Sequence, residues 1–266
     1  MQKIEEIDKY INIIGIKDEG KKLVESIDLH DFDSIVDEAY CHVSLIDERG
    51  FISSRRTSSN EALPSSKSEW RFINHINKYY FNNNNISVNN KEYASILVYD
   101  HKDIDYVKSI INDIKDDDTF ILIGLCINGN EKIEGINSIN VSDKDIIDTI
   151  KHFIGIVMQH PTLIDFSIED LNDYLDNDNI LNGFIIKADS IDELLDETKK
   201  DLEIRFKDKK VLDVFPFLMT YDYTLSGTHY IFEEVRKIIN DDRNHWCYAD
   251  NDFSKKEDSL LVIVKE

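Results

Sequence analysis

SDKDIIDTIKHFIGIVMQHPTLIDFSIEDL, residues 142–171, carries the longest clean helical stripe in the chain and, directly behind it, a cluster of acids. Apolar side chains fall at Ile146, Ile147, Ile150, Phe153, Ile154, Val157 and Met158, the i, i+3, i+4, i+7 spacing of a helix with a wide buried face. Ser142 followed by Asp145 predicts a capping-box-like start, with the hydroxyl accepting a first-turn N–H and the acid set against the helix dipole. Pro161 closes the helix. At roughly 1.5 to 3 kcal/mol for each buried side chain, seven such residues make this helix a core spine. The loop after it places Asp165, Ser167 and Asp170 at spacings of two and three.

Upstream, YINIIGI at 10–16 reads as a buried strand, 15–20 as a loop and 21–29 as a helix. The stretch GIKDEGKK satisfies most of a P-loop pattern, with Gly15, Gly20 and Lys21 in place and Lys17 nearby. Lys22 stands where a Ser or Thr would hold magnesium, and Asp18 and Glu19 occupy the part of the loop where bare backbone N–H groups would cradle phosphate. A carboxylate ~4 Å from a phosphate charge costs about 4 kcal/mol at an effective dielectric of 20. The stretch therefore reads as a strand-to-helix turn with a solvated tip. Residues 40–46 form a second strand candidate. The Ser-rich tract 49–68 reads as a mobile surface loop, and Arg49, Arg55 and Arg56 within it are the only strong basic cluster. A helix is expected over 70–81, a strand over 93–99, a helix over 104–114 and a strand over 119–127; apolar strand, helix, apolar strand is the signature of parallel pairing.

Downstream, the pattern predicts a short helix at 170–175, a strand at 181–187, and a helix at 190–202 capped by Ser190 with Glu193 three residues on. A strand at 211–217, a helix at 228–239 and a closing strand at 259–264 follow. The loop DNDNILNG has acids at Asp176 and Asp178 but lacks the glycine and closing glutamate of a calcium loop. There is no GxSxG and no HExxH, and the eight histidines are scattered. Cys41, Cys126 and Cys247 are widely separated with no CxxC, so no metal site of common spacing is expected and the thiols read as reduced and structural.

With 53 acidic against 31 basic residues, a phosphate backbone is repelled over most of the surface, which argues against nucleic-acid binding. No apolar run approaches the ~20 residues of a membrane span. The amino-terminal MQKIEEIDKY lacks the layout of a secretory signal. A cytoplasmic location is the expectation.

Taken together, this order resembles the FtsZ branch of the FtsZ and tubulin superfamily over nearly the whole chain. The helix ending in proline, then LIDFSIEDLNDYL, a strand, a helix, a strand beginning VLDVFP, and closing strands near 245–249 and 259–264 carry the likeness best. INIIGIKDEGKKLVESI looks like the family's first strand and phosphate turn with most glycines gone, and CHVSLIDERGFISS like its second strand. The resemblance implies an α/β fold with a shortened FtsZ/tubulin-like nucleotide-domain sheet, a long central helix and a second α+β domain. The implied divisions are a degenerate nucleotide-binding-like domain at 1–141, the connecting helix at 142–160 and an FtsZ-like carboxy-terminal domain at 161–266.

The departures from the family set the functional expectation. The place of its GGGTGTG-like phosphate loop reads DHKD here, without glycine and with Asp100 and Asp103 facing any phosphate. The segment 128–141 is shorter than the family's, so a helix and a strand of the nucleotide domain are expected to be missing. Asp145 falls on the acid that holds the guanine base, but Asn140 falls where an aromatic would stack, so Asp145 reads as a retained cap. Lys17, Gly20, Lys21 and Asp145 are thus vestigial nucleotide-binding positions. In the family, the loop after the helix reaches the next subunit's nucleotide; here Asp165 stands for its asparagine, Ser167 for its first aspartate and Asp170 for its second. The expectation is a pseudo-GTPase of the cell-division or cytoskeletal type, without cofactor, that binds an FtsZ-like filament subunit and regulates its assembly. The alternative is a divergent GTPase that uses GTP and magnesium and polymerises with itself.

Overall fold

ASILVYD and ILIGLCI, the two apolar runs of the amino-terminal half, become adjacent parallel strands that are buried at every position: β5 (Ala94–Asp100) and β6 (Ile121–Ile127). Burial on both faces is what a parallel sheet covered by helices demands, and it is why neither run alternates with polar residues. The computed structural model describes residues 5–28, 39–40, 51–62, 69–81, 94–114, 121–129, 131–158, 168–175, 179–207, 209–220, 229–230, 232–234, 237, 248–251 and 258–266. The chain divides into two compact units, Met1–Ser138 and Ile139–Glu266. It is an α/β fold in which helices are interleaved between strands of a mixed, largely parallel sheet.

In the first unit the strand order is β6-β5-β1-β4-β3-β2. β1 (Glu5–Ile16) lies parallel to β5 on one side and to β4 (Glu69–Phe81) on the other. β3 (Phe51–Ala62) runs antiparallel to β4, and β2 (Ala39–Tyr40) antiparallel to β3. Helix α1 (Lys17–Ser26) follows β1 directly, and α2 (Ile104–Ile114), entered through a single 3₁₀ turn at His101–Asp103, links β5 to β6. Side chains alternate across a strand. Ile14, Ile16, Leu97 and Tyr99 pack with Ile104, Val107, Ile110 and Ile111 of α2, whereas the opposite face of β1 at Gly15 meets Gly20 of α1. The two helices therefore cover opposite faces of the sheet.

Three expectations for this unit are corrected. Residues 70–81 were expected to be helical and lie in β4. Phe72, Ile73, Ile76, Tyr79 and Tyr80 do recur at helical spacing, but β-branched and aromatic residues favour strands, and β4 is paired along its length by β1 and β3. The 49–68 tract was expected to be a loop, yet 51–62 form β3. Its serines carry no hydrophobic period, but the ladder to β4 uses backbone groups that every such residue owns. The expected 15–20 loop is absent, because β1 runs to Ile16 and α1 begins at Lys17. Residues 82–85 and 41–46 lie outside the described residues, as does Arg49.

In the second unit the order is β7-β8-β11-β9-β10. β7 (Asn137–Val141) is parallel to β8 (Leu181–Ala188), β11 (Asp258–Lys265) is antiparallel to both β8 and β9 (Asp213–Thr220), and β10 (Tyr248–Asn251) is parallel to β9. β7 lies in the segment expected to have lost a helix and a strand. Helix α5 (Ile191–Phe206) packs Leu194, Leu195, Leu202 and Phe206 on one face of this sheet, against Phe184, Val214, Leu218 and Val262. The other face meets α3 (Ile146–Met158) and α4 (Ile168–Leu175): Phe153 stands edge-on to Phe217 at 6.0 Å, and Tyr174 lies 4.5 Å from Phe215. Among the described residues β10 pairs from Phe217 onward, so none of that ladder falls on Pro216, which has no N–H to give.

The predicted stripe of α3 holds at Ile146, Ile150, Phe153 and Ile154, each fully buried. Burial runs without a break from Thr149 to Ile156, so this part of the helix is enclosed on every side and not along a stripe alone, whereas Ile147 of the predicted stripe is only partly buried. Its start differs from expectation. The hydroxyl of Ser142 accepts no first-turn N–H and instead donates to Asp145 Oδ2 at 2.7 Å, while the Asp145 N–H donates to the Ser142 carbonyl. A 3₁₀ turn at Asp143–Asp145 lies between Ser142 and the α-helix proper, which takes Ser142 away from the N–H groups it would cap. Ser190 does cap α5 as expected, accepting from the Glu193 N–H.

Candidate functional site at the strand ends of the first unit

Open α/β sheets hold ligands outside the carboxyl ends of their parallel strands, where the order of strands reverses. Here that place is the end of β1 beside the end of β5, since the chain adds β4 on one side of β1 and β5 and β6 on the other. It gathers Lys17, Asp100, His101, Lys102, Asp103, Tyr106 and Asn128.

Two of these have left-handed backbones, Lys17 at φ 54° immediately after β1 and Asn128 at φ 61° immediately after β6. Asparagine tolerates this region; for lysine it costs roughly 1 to 2 kcal/mol. The left-handed turn lets α1 start without a loop, and the Lys17 ammonium sits 3.6 Å from the centre of the Tyr106 ring on α2. Gly15 and Gly20 allow the same close docking. A Cβ on Gly15 would stand 2.5 Å from the Gly20 carbonyl oxygen, and one on Gly20 would stand 2.1 Å from the Val98 carbonyl oxygen. These glycines are consumed by packing between backbones.

The turn from β5 into α2 is closed by its own acid. Asp100 accepts from the Lys102 N–H at 2.9 Å through one oxygen and from the Asn128 amide at 2.9 Å through the other. Burial alone would raise its pKa, but those two bonds, with the nearby Lys102 and His101 charges, hold it below the usual carboxylate range. The Lys102 ammonium lies 3.9 Å from both Asp100 and Glu19, tying the α2 entrance to α1. Asp103 goes the other way. Burial pushes its pKa up, with Asp100 and Asp18 adding to the effect and Lys102 and Lys17 opposing it. Asp103 Oδ2, Tyr106 Oη and His101 Nδ1 are enclosed atoms with no hydrogen-bond partner among the described residues. Burial also raises the Tyr106 pKa. The His101 ring lies on Gly129, where a Cβ would come within 2.1 Å of it. Below this edge, burial pushes the Cys126 thiol up to about 12 and the Tyr99 phenol higher still, which fits a free, inert thiol; Cys41 and Cys247 lie outside the described residues.

At this edge the Lys102 N–H serves Asp100, Gly15 and Gly20 are packed against backbone, and Asp18, Glu19, Asp100 and Asp103 are all acidic. Of the sequence-derived candidates, only Lys17 stands at the edge. Gly20 is buried in the first turn of α1, and Lys21 lies 3.7 Å from Glu25 on the same helix. Asp145 belongs to the second unit, bound to Ser142. Asp170 is the third residue of α4, and Asp165 lies outside the described residues. Among the described residues no cluster of His, Cys, Asp and Glu is arranged to hold a metal ion. No described helix is long and apolar enough to cross a membrane.

Sequence reasoning missed a buried pair in the second unit. His152 of α3 and Ser259 of β11 meet at 3.2 Å between Nε2 and Oγ, and His152 Nδ1 lies 2.8 Å from the Asp148 carbonyl oxygen. At 1% and 6% exposure they are closed to substrate. The pair ties α3 to the sheet. Nothing in the pattern announces it, because the partners are 107 residues apart.

No protein-family model matches the chain, and no curated protein matches it in sequence.

Proposed function

We propose that the chain is a non-catalytic relative of the FtsZ-like group that works without bound nucleotide, by binding a filament-forming subunit and regulating its assembly. The observation that carries this reading is the Asp100 carboxylate on the Lys102 N–H. An internal acid occupies the backbone donor at the turn where the family's glycine loop approaches phosphate. The parallel α/β architecture with helices on both faces supports the same reading, as does the acidic loop sequence around Asp165 and Asp170 as the docking element.

Titration of the purified protein with GTP and magnesium to millimolar concentration, by calorimetry, is expected to give no heat of binding. Saturable binding would overturn the nucleotide-free reading. Crosslinking to an FtsZ-type subunit is expected to weaken in Asp165→Ala and Asp170→Ala, and a complex indifferent to both changes would remove the docking element from the proposal.

A further inference from the structure

We draw no further inference here: the strongest candidate, the half-exposed Asp103 and Tyr106 beside Lys17 at the entrance of α2, belongs to the site already described and is a helix amino-terminus at which nothing shows what would bind.

Discussion

The strand-end edge of the first unit and the sheet of the second unit differ in how fully their polar groups are answered. At the edge, enclosed atoms of His101, Asp103 and Tyr106 lack partners among the described residues, and Lys17 holds a left-handed backbone. In the second unit, polar side chains are joined in chains: Asn140 donates to Asn182, Asn182 to Glu266, and Lys209 also donates to Glu266. His152 meets Ser259, and Asp148 pairs with Lys187 at 2.6 Å; the enclosed Thr149 hydroxyl is the exception. An unanswered buried polar atom costs about 1 to 3 kcal/mol. Among the described residues, the first unit's edge is the place where more of the enclosed polar atoms go unanswered.

The harshest way to break the comparison is at the edge's backbone packing. Gly20→Ala forces a Cβ against the Val98 carbonyl and is expected to destabilise by about 3 kcal/mol, read as a lower urea midpoint. An unchanged midpoint would show that α1 moves away freely. His152→Leu removes the tie between α3 and β11 and takes the imidazole away from the buried Ser259 hydroxyl; a loss of about 2 kcal/mol is expected. A double-mutant cycle with Ser259→Ala should return coupling between the two sites, and simple additivity would dissolve the pair.

The two edge carboxylates provide a test of sign. The pKa of Asp100 is lowered on folding, so its contribution is present above the unfolded value near 3.9 and is lost as pH falls through the folded one. The pKa of Asp103 is raised, so its contribution is present below the unfolded value and is lost as pH rises through the folded one. At pH 7, Asp100→Ala is expected to cost about 2 kcal/mol, while Asp103→Asn should raise stability by less than about 1 kcal/mol. Equal signs in thermal unfolding would overturn the contrast. The smallest loss of stability is expected at Ser190→Ala, about 1 kcal/mol for a lost cap, which lowers Tm by about 2 to 4 °C.

Much of the architecture was legible. β5, β6, β8 and β11 declare themselves as apolar runs too short for helices, and α2, α3 and α5 through helical spacing. β3 and β4 were misread for different reasons. β3 offers serines with no period, and β4 carries apolar residues at a period that suits a helix. At the site, the absence of glycine from DHKD was plain, and so was the acidity of the turn. The use of Asp100 as an internal ligand for the Lys102 N–H and Asn128 was not, because Asn128 comes from another strand.

Local pattern alone determined that this chain buries parallel strands between helices and that the turn after β5 is acidic and without glycine, since apolar spacing and side-chain charge are properties of neighbouring residues. Only the assembled sheet decided that 51–62 and 69–81 pair as strands, that α1 starts at a left-handed lysine, and that His152 finds Ser259. A backbone N–H bonds whichever carbonyl the fold brings to it, and a buried polar group is satisfied or left alone by residues far away in the chain.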